Sequence, residues 1–323
     1  MFTVTPRDPQ FALQVSPLIS LQSVLRGFVD RHSAAKKLIP KSPTSSKLLI
    51  ELKEEEIPVY SSKARDETEQ RIGPFVYEDD PVPKEQRGPV KLSNGAIYQG
   101  EWNPQGKREG KGIQVWPDGS KYEGHWKDDK ANGKGRLIHK DGDYYEGQWE
   151  NDKAEGYGEY THPDGSYYKG QWKNDKQNGK GIEVWPGGAR YEGQYLDGMK
   201  HGQSVFVWGD GSLFEGIFKD NAISGYGTYK WADGRKYKGE WRNNKMQGKG
   251  KFKWTDGRVY DGEYVNDRKH GFGVFTWPDL SMYEGQWVNG KQHGRGTFVN
   301  LKESQEKANG KKGLGSAGSI NLF

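Results

Sequence analysis

The sequence contains no cysteine and no long hydrophobic run. It therefore has no disulfide framework, no thiolate-bound zinc and no thiol nucleophile, and no apolar stretch approaches the roughly 18 to 20 residues of a membrane-spanning helix. Hydrophobic residues make up only 32% of the chain, too little for a conventional large α/β core. Aromatic residues reach 13%, more than a disordered chain carries. The sequence predicts an ordered protein that is held together by aromatic rings and backbone pairing.

The charge of the chain is nearly balanced, with 49 basic and 44 acidic residues among 323. A net charge of +5 does not by itself indicate nucleic-acid binding, and we expect no nucleic-acid partner. The first 15 residues have neither the basic start nor the apolar core of a signal peptide. We therefore expect a cytosolic or cytoskeletal location.

An aromatic-x-Gly-x-aromatic pattern recurs nine times between residues 91 and 300, and after a first interval of 24 residues every interval is 23 residues. A Gly-x-Gly, such as Gly133-Lys134-Gly135, and a turn pair, such as Asp118-Gly119, keep the same phase. The nine patterns begin at Tyr98, Tyr122, Tyr145, Tyr168, Tyr191, Phe214, Tyr237, Tyr260 and Tyr283. This fixed period indicates a solenoid in which neighbouring repeats complete each other's cores.

The residues within one repeat indicate a β-hairpin. Glycine or aromatic residues alternate with polar residues along both halves, which is the period of a strand. Asp-Gly between two such runs is typical of a two-residue type I′ turn, in which both residues take positive φ. We predict an all-β fold: an elongated single-sheet solenoid of nine hairpin repeats, preceded by one α-helix and a largely irregular linker.

The tyrosine, glycine and tryptophan of each repeat are predicted to share one face of the sheet. Glycine usually weakens a strand. Its regular placement here indicates that rings lie over the bare backbone and form a ladder from repeat to repeat. The residues chosen to represent this ladder are Tyr122, Gly124, Trp126, Tyr145, Gly147, Trp149, Tyr237, Gly239 and Trp241.

The segment Tyr122-Glu-Gly-His-Trp126, followed by Gly133-Lys-Gly135 and Asp141-Gly142, resembles the MORN repeat (membrane occupation and recognition nexus). The resemblance covers residues 91–300. MORN repeats occur in radial spoke head proteins of cilia, in junctophilins, in some phosphatidylinositol phosphate kinases and in cytoskeletal scaffolds of protists. The resemblance implies a scaffold similar to the radial spoke proteins of the ciliary axoneme.

The chain before the repeats is predicted to begin with an amphipathic helix over residues 16–39, which starts at Ser16 and Pro17 and stops before Pro40. Part of it resembles the IQ motif, whose helices bind calmodulin or related EF-hand proteins. The predicted partner-binding residues are Leu21, Gln22, Leu25, Arg26, Gly27, Phe28 and Arg31. The alternative is an amphipathic helix that docks on the repeats or on another subunit.

The remaining segments are predicted to be less regular. We expect an N-terminal tail over residues 1–15, a linker over 40–90 and a flexible C-terminal tail over 301–323, with the repeats at 91–300. The linker has room for a short helix from Asp66 to Arg71.

A row of basic residues follows the Asn/Asp turns in equal phase, so we expect it along one edge of the array. This basic edge consists of Lys130, Lys153, Lys176, Lys245, Arg268 and Lys291. One hypothesis is that it meets acidic protein tails or anionic phosphoinositide headgroups. The other is that it is a solvated edge that prevents sheet-to-sheet aggregation.

No catalytic signature accompanies the repeats. The stretch from Asp128 to His139 departs from a calcium-binding loop, and Gly106 to Gly112 has the wrong spacing for a phosphate loop. We expect no enzyme activity, cofactor, metal or small-molecule substrate. The first hypothesis is an axonemal scaffold that carries a calmodulin-type EF-hand protein and contacts other cytoskeletal proteins. The second is a peripheral module on the cytoplasmic face of a membrane that binds anionic phosphoinositides, and the third is a glycan binder with exposed rings.

Overall fold

The computed structural model describes residues 50–79, 82–300 and 318–322. The predicted helix over 16–39 and the predicted tail over 1–15 lie outside the described residues, as does most of the predicted tail over 301–323. The chain divides into two compact units, and the boundary falls between Met199 and Lys200. Within the described residues, no helix is long and apolar enough to span a bilayer.

The first unit carries helix α1 at Lys63–Ile72, after a 3-10 turn at Glu54–Glu56. Its strands are β1 (Ile50–Glu51), β2 (Glu85–Lys91), β3 (Ile97–Trp102), β4 (Arg108–Val115), β5 (Lys121–Lys127), β6 (Lys130–Ile138), β7 (Tyr144–Glu150), β8 (Lys153–Thr161), β9 (Tyr167–Lys173), β10 (Lys176–Val184) and β11 (Arg190–Leu196). From β2 onward each strand pairs antiparallel with the next, and β1 pairs with β2.

The second unit continues the same pattern. Its strands are β12 (Met199–Val207), which starts at the boundary, β13 (Leu213–Lys219), β14 (Ala222–Lys230), β15 (Lys236–Arg242), β16 (Lys245–Lys253), β17 (Val259–Val265), β18 (Arg268–Thr276), β19 (Met282–Val288), β20 (Lys291–Val299) and β21 (Gly318–Leu322). Consecutive strands again pair antiparallel. The predicted all-β architecture of hairpin repeats is confirmed.

The turns at the Asp-Gly pairs are not the predicted type I′ turns, and that prediction was wrong. At the first of them Gly119 has φ 91°, whereas Asp118 is absent from the residues with positive φ. The N–H of Gly119 donates to the carbonyl of Trp116 at 2.9 Å, which closes a type I turn with Pro117 at its second position. Only the glycine takes the left-handed conformation, and the same holds where no proline is present, as at Asp233-Gly234.

The type I′ geometry occurs instead at the polar Asn/Asp turns, where both central residues have positive φ. Asn151 has φ 51° and Asp152 has φ 64°. The other pairs are Asp128-Asp129, Asn174-Asp175, Asp197-Gly198, Asp220-Asn221, Asn243-Asn244, Asn266-Asp267 and Asn289-Gly290. Asparagine and aspartate tolerate this conformation better than other side chains because they hydrogen-bond locally.

The second residue of a polar turn is bonded to the preceding repeat. Oδ1 of Asp152 accepts the N–H of Ala131 at 2.7 Å, and the N–H of Asp152 donates to the carbonyl of Ala131 at 3.0 Å. The same two hydrogen bonds join Asp129 to Arg108, Asp175 to Ala154, Asn221 to Lys200, Asn244 to Ile223 and Asp267 to Met246. Burial raises the pKa of Asp152 against the opposing effect of the Ala131 bond.

Aromatic rings cover one side of the sheet, here called the ring face. The ring of Tyr122 meets Trp126 at 5.0 Å and Trp149 of the next repeat at 5.3 Å, both edge to face. Its hydroxyl donates to the carbonyl of His125 at 3.1 Å, so the buried oxygen has a partner. Tyr122 is fully buried and Trp126 is 3% exposed. The ring face is therefore closed by its own side chains.

The ring ladder requires glycine on the strands beneath it. Gly124 lies opposite Gly135, and a Cβ atom on Gly124 would lie 2.5 Å from the Cα atom of Gly135. A Cβ atom on Gly147 or Gly239 would likewise lie 2.5 Å from the Cα atom of the glycine opposite. Tyr145 and Trp149 form the ring pair over Gly147, and Tyr237 and Trp241 form the pair over Gly239. Any larger side chain at these positions would displace the tyrosine.

Candidate interaction surfaces

The other side of the sheet, here called the outer face, carries the side chains that alternate with the rings and glycines. The middle residue of three Gly-x-Gly segments is a large aromatic on this side. Tyr157 is 53% exposed, Tyr226 is 53% exposed and Phe272 is 47% exposed. An exposed ring flanked by glycines is accessible from both sides, so these positions are candidate protein contacts.

The basic edge lies where the outer face meets the polar turns. All six of its residues are exposed, and each opens a strand directly after a type I′ turn. Lys130, Lys153 and Lys176 belong to the first unit, and Lys245, Arg268 and Lys291 to the second. The Nζ atom of Lys153 donates to Oδ1 of Asn174 at 2.9 Å, a contact with a neutral amide that leaves the ammonium charge uncompensated there.

The segment predicted as a linker covers part of the outer face of the first unit. Helix α1 docks through Thr68, whose hydroxyl donates to the carbonyl of Gly142 at 3.0 Å. Tyr60 donates to the carbonyl of Gly95 at 3.0 Å, and Tyr77 to that of Gly112 at 3.4 Å. Phe75 is 8% exposed. The predicted short helix from Asp66 to Arg71 lies within α1, and the segment packs on the repeats.

Beneath this segment lies a network of ion pairs. Glu123 forms ion pairs with Arg136 at 3.2 Å and with Lys121 at 2.8 Å. Lys121 also pairs with Glu69 of α1, and the guanidinium of Arg136 lies 5.4 Å from the ring of Phe75. The repeat pattern does not predict this contact, because Glu69 and Phe75 lie on a segment without a repeat.

A groove of about 780 Å³ opens on the outer face of the first unit around Tyr157. Two lysines, Lys134 and Lys169, line it, and Lys169 is already paired with Glu159 at 3.2 Å. The acidic residues that line the groove are Glu78, Glu146, Glu150, Glu155 and Glu159. The groove is therefore mostly acidic, in contrast to the basic edge.

Lys269 and Arg108 place their basic groups against aromatic rings. The Nζ atom of Lys269 lies 4.3 Å from the ring of Trp287 and 4.6 Å from that of Phe275, and burial lowers the pKa of Lys269 to about 8. The guanidinium of Arg108 lies 4.2 Å from Trp126, and its Nε donates to Oδ1 of Asp129 at 3.2 Å. Each residue precedes the first glycine of a Gly-x-Gly by two positions, as Ala131 does.

The IQ-like residues Leu21 to Arg31 lie outside the described residues, so the structure places none of them. Across the part of the chain that the structure describes, His, Asp and Glu side chains form no group of three that could hold a metal ion.

Comparison with solved structures found domains of the centriole protein CPAP. The TCP domain of SAS-4 (dCPAP) of Drosophila melanogaster, in complex with a proline-rich motif of Ana2, is 15% identical, with 57% of this chain and 96% of that chain covered and a TM-score of 0.30. A mutant TCP10 domain of Danio rerio CPAP is 12% identical, with 65% and 86% covered and a TM-score of 0.21. Scores this low support no conclusion about this chain.

A search of the curated proteins found no match. The MORN repeat family, in contrast, matches nine consecutive segments that together make up more than half of the chain. They are residues 98–121, 122–144, 145–167, 168–190, 191–213, 214–234, 237–257, 260–282 and 283–299. The chain belongs to the MORN repeat family.

Proposed function

We propose that this chain is a non-enzymatic scaffold that binds proteins through the outer face of its repeats. MORN repeats are generally non-catalytic and indicate a protein-interaction or membrane-binding module. The observation that carries the proposal is the asymmetry of the sheet. Its ring face is closed by buried tyrosine and tryptophan, whereas its outer face exposes Tyr157, Tyr226 and Phe272. Exposed aromatic residues are over-represented where proteins bind each other.

The proposed setting is the ciliary axoneme, and the support for it is the resemblance of the repeats to those of radial spoke proteins. The test is extraction of isolated axonemes with non-ionic detergent, followed by detection of the chain in both fractions. An axonemal scaffold stays with the detergent-resistant microtubules. Complete release into the detergent supernatant would contradict this location.

The proposed partner of the N-terminal segment is calmodulin or a related EF-hand protein, on the support of the IQ-like residues. We expect the full chain to bind calmodulin and the double variant Leu21→Ala, Arg26→Ala to lose that binding. Titration with and without calcium shows whether the metal is required. A control variant, Lys36→Ala with Lys37→Ala, removes two charges of the same segment outside the motif and is expected to bind normally. Equal affinity of the two variants would exclude the IQ-like residues as the site.

The second candidate function is binding of anionic phosphoinositides through the basic edge, which the exposure of all six of its residues favours. Each exposed cation near a charged bilayer contributes about 1 kcal/mol. Flotation of the chain with neutral vesicles and with vesicles that contain a phosphatidylinositol bisphosphate measures whether it binds the anionic lipid. Equal flotation with both kinds of vesicle would rule the lipid function out, and the protein-binding proposal would stand alone.

A further inference from the structure

Five lysines on the outer face of the second unit lie side by side on three neighbouring strands. Lys236 of β15 lies directly opposite Lys230 of β14 on one side and Lys253 of β16 on the other. In the next row, Lys238 lies opposite Lys251. All five are exposed. We call Lys230, Lys236, Lys238, Lys251 and Lys253 the lysine patch; it contains no residue of the basic edge.

This arrangement is unfavourable for the fold. Directly opposed residues of antiparallel strands have Cβ atoms about 4.5 to 5.5 Å apart, and like charges there repel. Beyond these strands, opposed pairs in the same two rows of the described second unit hold at most one charged residue. Examples are Val205 opposite Glu215 and Val274 opposite Glu284. Packing of the sheet therefore does not call for lysine at these positions.

The lysine patch is also poorly neutralised from within. Lys251 forms an ion pair with Asp261 at 2.8 Å. Among the described residues, the other four lysines have no ion pair. The nearby carboxylate of Glu240 accepts the backbone N–H of Lys249 at 3.0 Å. This hydrogen bond lies at the β-bulge between Gly239 and Trp241, where the register of β15 and β16 shifts. Four exposed ammonium groups are thus without an ion-pair partner within the part of the chain that the structure describes.

The shape of the lysine patch limits what can bind it. Its first row is bounded by Leu213 and Val259, and its second row ends at Glu215 on one side and Asp261 on the other. The positive strip is therefore three strands wide, with carboxylates at both sides. A broad anionic plane such as a bilayer would bring its charges against those carboxylates as well. A narrow extended chain would not.

The spacing fits an extended acidic peptide. Within one strand Lys236 and Lys238 are two residues, or about 6.8 Å, apart, and neighbouring strands are about 4.8 Å apart. Alternate side chains of an extended peptide repeat at the same distance of about 6.8 Å. Carboxylates at every second residue of such a peptide can therefore face both rows of lysines.

We propose that the lysine patch binds an extended, glutamate-rich segment of a partner protein. This inference rests on the proposed scaffold function and names the chemistry of one of its partners. Binding relieves the repulsion among the opposed lysines, so the charge that is unfavourable in the free sheet contributes to the complex. The attraction is between exposed groups and weakens as salt screens it.

The test uses the full chain and a fluorescein-labelled peptide of ten glutamates, with binding followed by fluorescence anisotropy. The patch variant is Lys230→Gln, Lys236→Gln, Lys238→Gln and Lys253→Gln. The control variant removes the same charge from four other exposed lysines, Lys127→Gln, Lys173→Gln, Lys180→Gln and Lys219→Gln. We expect the dissociation constant to rise about tenfold or more in the patch variant and less than about twofold in the control, because exposed ion pairs are worth a few tenths of a kcal/mol each and four act together.

Three results would overturn the proposal: no binding of the peptide by the natural chain, equal loss in both variants, or unchanged affinity of the patch variant. Loss of binding to phosphatidylserine vesicles with unchanged peptide affinity would assign the lysine patch to membranes instead. The melting temperature of the patch variant is expected to be unchanged or higher, and a clear decrease would show that the lysines are structural. A chain that stays with detergent-resistant axonemes but does not bind the peptide would refute this inference and leave the scaffold function intact.

Discussion

The phenol ring of Tyr122 lies over the backbone of Gly135, so closely that a Cβ atom on this glycine would be 2.2 Å from the tyrosine oxygen. The two residues come from consecutive strands, β5 and β6. The ring is confined on both sides, because its edges meet Trp126 and Trp149. The contact between Tyr122 and Trp149 joins one repeat to the next.

The first prediction concerns glycine under the rings. Gly135→Ala forces Tyr122 out of its position, and we expect the free energy of unfolding to fall by about 2 to 3 kcal/mol, as in overpacked cores. Urea unfolding followed by tryptophan fluorescence measures it. The control is Gly187→Ala, since a Cβ atom there would meet nothing within 4 Å. If both variants unfold at the same urea concentration, the ring contact does not limit residue size.

The second prediction concerns the turn residue Asp152. Asp152→Ala removes the acceptor for the N–H of Ala131 and places alanine at φ 64°. We expect a loss of about 2 kcal/mol. Asp152→Asn retains an acceptor for this N–H, the amide oxygen that Asn221 and Asn244 supply in other repeats. We expect this variant to be at least as stable as the natural chain near neutral pH.

The pH dependence of stability in the natural chain and in Asp152→Asn tests the raised pKa of Asp152. Burial raises the pKa of Asp152 above its ordinary 3.8, so the folded chain binds this proton more tightly than the unfolded chain. Its contribution to stability therefore decreases as pH rises through the raised pKa. The asparagine variant has no such group. We expect the difference in unfolding free energy between variant and natural chain to grow from acidic pH to neutral pH; a constant difference would contradict the raised pKa.

The third prediction concerns His162 and Asp143. Burial lowers the pKa of His162, but Asp143, whose Oδ1 lies 3.2 Å from Nδ1, outweighs it and raises the pKa above 6.5. The pKa of Asp143 is lowered below 3.8 by His162, against the effect of burial. The ion pair exists between the two shifted values. Its stabilisation is lost as pH rises through the pKa of His162 and as it falls through that of Asp143.

Comparison of the natural chain with Asp143→Asn measures this pair. We expect the natural chain to be about 1 kcal/mol more stable near pH 5 to 6, with a smaller advantage on either side of that window. The chemical shifts of the His162 ring give its pKa directly. A His162 pKa below 6.5 in the natural chain would contradict the assignment.

The fourth prediction concerns Lys269. Burial among aromatic rings lowers its pKa from 10.5 to about 8, so the unfolded chain binds this proton more tightly. Stability is therefore expected to rise by about 2 to 3 kcal/mol as pH increases from 8 to 10.5, at about 1.4 kcal/mol per pKa unit. Lys269→Met places the residue of the preceding repeat, Met246, at this position and is expected to be more stable at pH 7 and to lack the rise. Parallel curves for the two proteins would show that the ammonium is not desolvated.

The hairpins and the ring face could be predicted from the sequence because both depend on short-range order. The 23-residue period fixes which residues share a face, and the two-residue alternation assigns Tyr122, Gly124 and Trp126 to one side. The turn type was wrong for a local reason. The same turn forms where no proline precedes the aspartate, as at Asp233-Gly234. In both turns the aspartate side chain forms an Asx turn that competes with the type I′ conformation: Oδ1 of Asp118 accepts the N–H of Ser120 at 3.0 Å, and Oδ1 of Asp233 accepts that of Arg235 at 3.0 Å.

The covering segment and the lysine patch could not be predicted in the same way. Thr68 and Tyr60 bind backbone carbonyls of Gly142 and Gly95, and such contacts leave no period in the sequence. Each lysine of the patch alternates with ring-face residues like any strand residue. Only the register between β14, β15 and β16 shows that they are opposed. The IQ-like residues from Leu21 to Arg31 stay a prediction.

Each strand from β3 to β10 pairs with the strands just before and after it along the chain, so most of this sheet forms through contacts of short sequence separation. Proteins with such low contact order fold quickly, because little chain entropy is lost before a contact is gained. A hairpin can therefore close on the ribosome as soon as its second strand has emerged, and the next one can use it as a template. A nascent chain that halts after any complete repeat would then carry a finished sheet instead of an unpaired half-structure.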